Sequence, residues 1–596
     1  MSDFQMQIEQ RIIKELGIVA KLEAEKAVFG PIKLNKPEES RFGDYTTNMT
    51  MQFFSSLSKE KQATLKNPRD WAGELKKGIE KNGKLNDIVK QIEVAGGGFI
   101  NFYLTDQVKI DILIDFLKFG YRFPEEKGKT YLVEFSSPNI AKPFTVGHLR
   151  STIIGAAIAN LLQATGKKVI RDNHLGDWGT QFGKQVVAIE KWGNWEEIEK
   201  SATPVRILVD LYVQFHDEAD KDPTLEDEAR EVFTKMEQGN KEYLSMWQKI
   251  VDLSMKEFDQ IYKELGVFFD ENEGKGFGES AVINQMSEVI DELEEKNLLV
   301  NSRAAEIVEF PKETKLPPLM ILKKDGSTLY ATRDLATDKR RLEHYGPDLT
   351  IINEVGKEQS LYFQQLFKLE EMLGWFKPGQ RVHVAHGLYR FQDRKMSTRK
   401  GDVIWLADIK QAAVERIKAT SKSQLSQEDI DKIAWGAIKW NDLSREAIND
   451  IDFDLETMLS LKGNSGSYMQ YTAVRIQSIW QKSANGNQTK SLKELIDQSK
   501  IANDFEQVLP ELKLEEAELN LVSQLNGAKK ALERAAGELA PQILANYLFE
   551  LAQKFNNYYA GHEILGNETR LLLTKAIGLV LVSGFEILMI EIPSKM

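Results

Sequence analysis

Hydrophobic and polar positions recur with two different periods along this chain, and the change of period marks the predicted elements. Residues 130–135 are a short apolar run, typical of a buried strand. Residues 136–147 contain two prolines and end in Gly147, and this composition predicts a loop. Residues 149–165 are apolar over a helix length, Gly166 is a natural stop, and residues 168–170 return as a strand. This βαβ unit predicts a parallel sheet with a ligand at the carboxyl ends of its strands.

The same patterns predict four domains. Residues 1–112 show helical patterns, one of them over 46–57 with Thr46 or Thr47 as its N-cap, and a closing strand at 96–104, as in a small α+β domain. The parallel-sheet domain covers residues 113–410. The remaining predicted segments are a charge-rich helical insertion at about 190–300, strand patterns at 305–310, 319–322, 349–355 and 383–387, a connecting helical region at 411–455 and an all-α helical bundle at 456–596.

Composition narrows the class of protein. Hydrophobic residues make up 42% of the chain and charged residues 28%, as in folded globular proteins. No apolar run is long enough to span a bilayer and the N-terminus does not read as a secretion signal, so we expect no membrane association. The absence of cysteine excludes disulfides and thiolate chemistry and fits a reducing cytoplasm. A net charge of −12 argues against a general nucleic-acid binder but leaves local RNA-binding patches open.

Two segments carry candidate chemistry. In the first, Gly147 and His148 stand where the loop after the first strand meets its helix, and free backbone N–H groups at a helix start attract phosphate. The second, RKMSTRKGD at residues 394–402, is a basic loop that can close over a triphosphate. Alone, each is common: a loop histidine that caps a helix, and a solvated basic turn. A third feature, the HxxH of His383 and His386, lacks a further ligand and is a weak metal motif.

Together the two segments resemble the paired HxGH and KMSKS signatures of class I aminoacyl-tRNA synthetases. The VGKEQ segment at residues 355–359 is similar to the GxDQ segment of that class. Longer matches resemble the arginyl-tRNA synthetases specifically, and they cover the chain from about residue 40 to its end. They are FGDYTTN (42–48), SSPNIAKPFTVGHLRSTIIG (136–155), DNHLGDWGTQFG (172–183), FGES (277–280), LYATRDLA (329–336), MSTRKGD (396–402), AIKWNDLSR (437–445) and NSGSYMQYTAVR (464–475).

The resemblance implies the fold and the reaction. The fold is multidomain α/β, with a Rossmann-like catalytic core, a helical insertion, an N-terminal additional α+β tRNA-binding domain and a C-terminal helical anticodon-binding domain. The reaction is the ATP-dependent attachment of L-arginine to tRNA(Arg) through an arginyl-adenylate, with release of AMP and pyrophosphate. Mg²⁺ is expected on the pyrophosphate. No protein-bound metal is expected, and a cytoplasmic monomer is the expected form.

The resemblance also assigns site residues. The residues expected to bind arginine are Glu134, Ser137, Asn139, Glu279, Tyr330, Asp334 and Gln359. The residues expected to bind ATP are Gly147, His148, Gln359, Met396 and Ser397. The residues expected to place cationic or polar groups at the reacting phosphate are His148, Lys142, Thr145, Lys395 and Lys400. A carboxylate suits the planar five-donor fork of a guanidinium, which lysine cannot imitate. Without a family match, an ion pair of Asp334 with Arg333 or Arg340 would be the simpler interpretation.

Two positions depart from the family signatures. Thr145 replaces the first histidine of HxGH, and Thr398 replaces the second lysine of KMSKS. In family members without that lysine, a lysine just before the HxGH segment is thought to supply its charge, and Lys142 has that place here. The departures leave open a tRNA-binding paralogue without catalysis, and a class I synthetase for another amino acid is a further alternative. An arginylation assay distinguishes all three.

RNA binding must be local, because residues 456–596 carry 14 Lys and Arg against 16 Asp and Glu. Splayed RNA bases are held by stacking and by hydrogen bonds to their edges. The residues expected to contact tRNA are Tyr45, Tyr468, Tyr471, Tyr559 and Met596. Tyr558 is a further aromatic candidate, and we expect at least one of Tyr558 and Tyr559 to be packed between helices instead.

Overall fold

The computed structural model of the chain describes residues 3–24, 30–37, 40–302, 305–323, 328–390, 404–421, 424–483 and 514–596. Its contacts divide the chain into two compact units, each built from separate stretches of sequence. The first comprises Met1–Phe123, Tyr471–Arg534 and Asn546–Gly584. The second comprises Pro124–Gln470, Ala535–Ala545 and Phe585–Met596. The last helices of the chain therefore contribute to both units.

The N-terminal part of the first unit is the predicted mixture of helices and strands. Its elements are α1 (Phe4–Ala24), β1 (Tyr45–Thr47), α2 (Met49–Phe53), α3 (Lys59–Leu65), α4 (Pro68–Asn82), β2 (Val89–Ala95), β3 (Phe99–Leu104) and α5 (Asp106–Phe119). The three strands pair antiparallel in the order β1-β3-β2. Apolar side chains of α1, α4 and the strands, among them Ile12, Trp71 and Phe102, form one buried core.

One predicted helix in this part is wrong at its start. Residues 45–47 are a strand paired with β3, and the helix begins only at Met49, with Asn48 as its N-cap. Tyr45 and Thr47 are buried and Thr46 is half-buried, which is the two-residue period of a strand. Gly43, with φ of +92°, lies where a Cβ atom would be 2.8 Å from the Phe102 carbonyl oxygen, so the chain enters the strand close against β3.

The second unit contains the predicted parallel sheet. Its strands are β4 (Thr130–Glu134), β5 (Lys168–Asp172), β11 (Leu349–Gly356) and β12 (Arg381–His386), in the order β12-β11-β4-β5, and every pair is parallel. The crossover from β4 to β5 is α6 (Val146–Ala164), which ends before Gly166 at φ of +81°. The βαβ prediction is confirmed. The carboxyl ends of β4, β11 and β12 lie at one edge, where parallel sheets bind ligands.

Two of the predicted strands belong to a different sheet. β9 (Ala305–Val308) and β10 (Leu319–Lys323) pair antiparallel with each other and with β8 (Leu299–Ser302), in the order β10-β9-β8. β8 is mostly exposed, so it lacks the apolar alternation by which a strand is recognised in sequence. Two two-residue pairs, β6 (His174–Leu175) with β7 (Phe277–Gly278) and β13 (Tyr389–Arg390) with β14 (Ile451–Asp452), were also too short to predict.

The insertion and the described parts of the chain after residue 404 are mainly helical, as predicted. The insertion has α7 (Thr180–Trp192), α8 (Trp195–Lys200), α9 (Pro204–Ala219), α10 (Thr224–Glu237), α11 (Lys241–Leu265) and α12 (Met286–Glu295). The helices α13 (Tyr330–Tyr345) and α14 (Ser360–Leu373) flank β11 in sequence. The later helices are α15 (Leu406–Thr420), α16 (Gln427–Leu443), α17 (Leu455–Met458), α18 (Gly466–Ser483), α19 (Glu516–Leu525), α20 (Ala528–Gly537), α21 (Pro541–Gly561) and α22 (Glu568–Ile587). Across the described ranges, none of these helices is long and apolar enough to cross a membrane.

Candidate active site

The loop after β4 has an unusual backbone that brings two parts of the sheet edge together. Ser136, Ser137 and Ala141 have positive φ of 72°, 45° and 58°, a costly conformation that clusters at functional sites. The Gly176 N–H donates to the Pro138 carbonyl, and the Ile140 N–H donates to the Gly176 carbonyl, both at 3.1 Å. The loop is thereby held against the segment that follows β6.

The first turn of α6 fixes the protonation of His148. The Thr145 N–H donates to His148 Nδ1 over 3.0 Å, so Nδ1 is an acceptor and the ring proton lies on Nε2. Burial lowers the pKa of His148 to about 4, and the charges of Lys142 and His386 act in the same direction. His148 is therefore a neutral donor near pH 7, directed through Nε2. Among the described residues, a Cβ atom at Gly147 would meet only Thr145 Oγ1, at 3.4 Å, so no other described side chain crowds this point of the first turn of α6.

Lys142 is the single Lys or Arg residue of the loop between β4 and α6. Its side chain reaches the surface, and partial burial lowers the pKa of its ammonium group from the usual value. Its effect on the pKa of His148 places the two groups within electrostatic range. The predicted basic loop, with Lys395, Met396, Ser397, Thr398 and Lys400, lies outside the described residues. The segment after it is tied to the α6 loop, because the Leu406 N–H donates to the Phe144 carbonyl at 3.1 Å.

The seven residues expected to bind arginine line a single cavity of about 290 Å³ at the carboxyl edge of the sheet. They come from β4, the loop after it, the segment after β7, α13 and the segment after β11. The remaining wall includes residues that the sequence did not single out, namely His174, Gly176, Thr337, Asp338, Arg341, Asn353, Val355, Tyr362, Phe363 and Leu366. Tyr330 and Asp334 share one face of α13, as their spacing of four predicts.

Three carboxylates that look alike in the sequence have different partners in the cavity. Glu134 pairs with Arg341 at 2.6 Å, and Glu279 pairs with Arg333 at 2.8 Å. Asp334 has no Lys or Arg partner among the described residues. Its hydrogen-bond donor is the Tyr362 hydroxyl, and His174 Nε2 lies 3.7 Å from its carboxylate. The simpler interpretation, an ion pair of Asp334 with Arg333 or Arg340, is not what the structure shows.

Asp334 has a raised pKa, because its buried carboxylate has no Lys or Arg partner among the described residues. Burial raises the pKa of Asp334 to about 6, against the opposing effects of His174 and the Tyr362 hydrogen bond. For Glu134 the balance is the opposite: burial acts to raise its pKa, but Arg341 outweighs burial and the pKa is lowered. An incoming cation would therefore gain most beside Asp334, where a desolvated carboxylate has no positive partner of its own.

The cavity also contains polar atoms without partners. Ser137 Oγ and both ring nitrogens of His174 are buried and have no hydrogen-bond partner among the described residues. Buried polar atoms are normally hydrogen-bonded, and an unpaired group near a cavity points to an absent ligand. His174 lies inside the DNHLGDWG match, which was the signal for it. Tyr362 is one helical turn beyond Gln359, and nothing in its local pattern distinguished it.

A second, larger cavity of about 560 Å³ lies along α11 and is not the candidate site. Its walls include Trp247, Met255 and Phe277. The β6–β7 pair separates it from the smaller cavity, because Gly176 lines one and Leu175 the other. Within the described ranges, none of its lining side chains has an unpaired buried polar atom. The described residues also contain no group of three His, Cys, Asp or Glu side chains placed to hold a metal ion.

The residues expected to contact tRNA differ in accessibility. Tyr45 is only 3% exposed, so its ring in this structure cannot stack on a base, and we remove it from the candidates. Tyr558 is buried and its hydroxyl donates to Glu518 at 2.8 Å, which confirms that one of the paired tyrosines is packed. Tyr559 is 39% exposed. Tyr468, Tyr471 and Met596 are half-buried.

An arginine that the sequence did not indicate connects two of these tyrosines. The Arg475 guanidinium lies over the Tyr471 ring at 4.9 Å and over the Tyr559 ring at 5.0 Å from the centroids. It also donates to Asn556. An aromatic ring that is half exposed and backed by a guanidinium is a suitable platform for an unstacked base.

Three family models match successive parts of the chain. The model described as the arginyl tRNA synthetase N terminal domain matches residues 6–104. The model described as tRNA synthetases class I (R), catalytic domain, matches residues 111–455. The DALR anticodon binding domain matches residues 469–596.

Curated relatives and solved structures agree with these matches. The chain is 36% identical to an arginine--tRNA ligase of Clostridioides difficile, with 100% of both chains covered. It is 39% identical to an arginine--tRNA ligase of an Exiguobacterium species, covering 86% of this chain and 89% of the relative. The arginyl-tRNA synthetases of Plasmodium falciparum and Thermus thermophilus have TM-scores of 0.77 and 0.76. They are 23% and 22% identical to this chain in sequence. Each comparison covers 98% of this chain, and they cover 99% and 100% of the two solved chains. The likeness establishes a common fold.

Proposed function

The chain belongs to the arginyl-tRNA synthetase family, and on that premise we propose which of its residues bind each substrate. The enzyme attaches L-arginine to tRNA(Arg) in two steps. The arginine carboxylate attacks the α-phosphate of ATP to give arginyl-adenylate and pyrophosphate. The terminal ribose hydroxyl of the tRNA then attacks the carbonyl carbon, and AMP leaves.

The arginine site is the cavity of about 290 Å³, and the observation that carries this proposal is its set of lining residues. Asp334 receives the guanidinium, since it is the lining carboxylate without an internal arginine among the described residues. Tyr330 and Tyr362 pack edge to face, with ring centroids 4.9 Å apart, and flank the guanidinium plane. A bidentate pair with a carboxylate selects a guanidinium over the ammonium of lysine.

The other residues expected to bind arginine form two groups, according to whether they already have a partner within the protein. Ser137, Asn139 and Gln359 bind the α-amino and carboxylate groups of arginine, with the unpaired Ser137 hydroxyl as the supporting observation. Glu134 and Glu279 keep their internal arginines and contribute negative potential to the walls. The remaining carboxylate, Asp334, then forms its charge pair with the guanidinium of the substrate.

ATP binds at the N-terminus of α6. Gly147 allows the nucleotide to approach the free N–H groups of the first turn. From the resemblance, Gln359, which lines the arginine cavity, contacts the nucleotide as well. The neutral His148 donates from Nε2, and Lys142 supplies positive charge where the pentacoordinate phosphate gains negative charge. Thr145 acts indirectly, by holding His148 in its tautomer. From the resemblance alone, Met396 and Ser397 contact ATP, and Lys395 and Lys400 add charge at the phosphates.

Catalysis then depends on positioning and on fixed charge, as in other phosphoryl and adenylyl transfers without a covalent enzyme intermediate. Mg²⁺ does not fit a protein-held site here, because the described residues near the α6 N-terminus offer cations and hydroxyls and no cluster of acidic ligands. We propose that Mg²⁺ enters with the phosphates of ATP, which is its usual preference.

The tRNA contacts are proposed at both ends of the chain's sequence. We assign residues 1–112 and 456–596 to tRNA binding, and the DALR anticodon binding domain matched at residues 469–596 supports the second range. Tyr559, with Arg475 and Tyr471, is the leading base-stacking candidate, and Tyr468 and Met596 remain candidates. We also propose a monomer that acts in the cytoplasm, where tRNA is charged for protein synthesis. Sedimentation and cell fractionation test these two points.

An arginylation assay with all twenty amino acids in competition tests the function. We expect charging of tRNA(Arg) with arginine alone, and lysine should fail because it lacks the planar fork. Arginine analogues sharpen the test: canavanine keeps the fork and should be used, whereas citrulline loses the positive charge and should not. Charging with citrulline at the same rate as with arginine would contradict the role of Asp334.

A further inference from the structure

His386 and Glu354 form a buried pair at the sheet edge that the proposed function does not use. His386 is the last residue of β12, opposite Gly356 of β11, at the carboxyl ends of the parallel strands. Its Nδ1 lies 2.9 Å from Glu354 Oε1. Both residues are buried, at 7% and 1% exposure. The pair therefore stands where parallel sheets bind their ligands.

The pair leaves one nitrogen of His386 available. A buried carboxylate needs a donor, so Nδ1 carries the proton that it gives to Glu354. Glu354 Oε2 has no hydrogen-bond partner among the described residues, which leaves His386 as the group that balances its charge. Nε2 likewise has no partner in the part of the chain that the structure describes. A carboxylate that orients an imidazole through Nδ1 is a recurrent way to direct Nε2 at a substrate.

His386 is close to the ATP-binding end of α6. The Ser151 hydroxyl of α6 donates to the Glu354 carbonyl at 2.8 Å, which ties the second turn of the helix to the pair. His386 also acts electrostatically on His148, since its charge lowers the pKa of that imidazole. Two imidazoles therefore lie near the start of α6, one held through Nδ1 by Thr145 and one held through Nδ1 by Glu354, whose carbonyl accepts the Ser151 hydroxyl.

We propose that His386 donates from Nε2 to an oxygen of the ATP triphosphate, and that Glu354 is its positioning residue. The inference rests on the proposed binding of ATP at the α6 N-terminus. It gives a replacement for the missing first histidine of the HxGH signature, because the Thr145 hydroxyl lies 3.2 Å from His148 Nδ1 and is engaged there. His386 is then a catalytic residue of the adenylation step.

The charge of His386 is set mainly by Glu354. Burial acts to lower the pKa of His386, but Glu354 outweighs burial and the pKa is raised. Arg150 acts to lower it and Asp442 to raise it, and these two are ion-paired with each other at 3.0 Å. His148 is neutral at working pH and adds no charge. An imidazolium that becomes neutral as pH rises loses its charge-assisted hydrogen bond to phosphate.

Binding of a non-hydrolysable ATP analogue and of adenosine tests the contact. In His386→Asn the amide nitrogen takes the position of Nδ1 and still donates to Glu354, while the Nε2 donor is lost. We expect analogue affinity to fall about 10- to 100-fold, as for loss of a hydrogen bond to a charged group. Adenosine affinity should stay within about twofold. His383→Asn, on the opposite face of β12, is the control and should change neither.

Glu354→Gln gives a second test that does not depend on the folding of the first variant. In wild type, kcat/KM for ATP should fall as pH rises through the raised pKa of His386, and in Glu354→Gln this fall should begin at lower pH. The inference would be overturned if the fall of kcat/KM began at the same pH in Glu354→Gln as in wild type. It would also be overturned if His386→Asn lost affinity for the analogue and for adenosine equally. Either result would leave the proposed function intact. If wild-type enzyme bound no analogue at all, the ATP site itself would be wrong.

Discussion

Replacing Asp334 with asparagine should weaken arginine use and, at the same time, stabilise the folded enzyme. The two effects have one cause, which is a desolvated carboxylate without a cationic partner among the described residues. Asparagine has nearly the same shape and keeps an oxygen to accept the Tyr362 hydroxyl. The variant therefore removes charge with little change in packing.

The loss of arginine use follows from the substrate's own charge. In the variant a guanidinium enters a buried site with no carboxylate of its own, and loss of half of a buried charge pair costs about 3–5 kcal/mol. This corresponds to a fall in kcat/KM for arginine of at least about a hundredfold. The KM for ATP should change little, because Asp334 does not belong to the α6 end of the site.

The gain in stability follows from the raised pKa. An Asp whose pKa is about 6 in the folded state and 3.8 when unfolded destabilises the fold whenever it is ionised. The shift corresponds to about 3 kcal/mol, and to less in practice because a quarter of the side chain is exposed. The sign is set by linkage: the cost is absent at low pH and is reached in full as pH rises past about 6. Asp334→Asn should therefore be more stable than wild type at pH 8, the gain should be about half as large at pH 5, and the two proteins should be nearly equal at about pH 3.

Thermal unfolding without arginine, combined with steady-state arginylation, measures both effects. At pH 8 the unfolding transition of the catalytic unit should rise by about 2–4 °C for each kcal/mol gained. Glu343→Gln, an exposed change on the same helix, is the matched control and should alter neither measurement. A variant with near-normal kcat/KM for arginine, or one less stable than wild type at pH 8, would refute this reasoning about the pocket.

Four further outcomes test the remaining assignments. The KM for arginine should rise as pH falls through about 6, because protonated Asp334 cannot pair with the guanidinium; a flat profile at saturating ATP and tRNA would contradict this. Lys142→Ala should mainly lower kcat, by about 10- to 100-fold, and Thr398→Lys should partly restore it; additive losses without rescue would separate the two positions. Tyr559→Ala, or deletion of residues 595–596, should raise the KM for tRNA about 5- to 100-fold without moving that for ATP, as loss of base stacking predicts; unchanged KM in folded protein removes them from the anticodon site. From the resemblance, arginine-dependent ATP–pyrophosphate exchange should need added tRNA, and robust exchange in tRNA-free enzyme would be evidence against that order.

Local pattern was sufficient for the elements that carry the site. The strand–loop–helix–strand of residues 130–170 was predicted from the apolar run, the prolines and Gly166, and the structure has it within a few residues. The family was predicted from motif pairs, and the comparisons confirm it. These predictions were correct because each depends on residues close together in sequence, where the periods of helices and strands can be recognised.

Other features depend on contacts across the fold. Tyr45 was expected at a tRNA surface because it lies in a family motif, yet pairing with β3 buries it. The pairing of His386 with Glu354 joins neighbouring strands 32 residues apart in sequence, and nothing local distinguished that histidine from His383. Strand register decides both cases, and register is set by partners that may come from anywhere in the chain.

The partners of the three cavity carboxylates depend partly on helix spacing, which is visible in the sequence, and partly on contacts across the fold. Asp334 is distinguished from Glu134 and Glu279 by the arginines that reach each carboxylate. On α13, Asp334, Asp338 and Arg341 fall at spacings of four and seven and so share the face that lines the cavity. Arg341 lies two turns away and pairs with Glu134, while Arg333, adjacent in sequence but about 100° around the helix, reaches Glu279. Among the described residues, both arginines thus pair with other acids, and Asp334, to which we assign the substrate guanidinium, keeps no arginine partner.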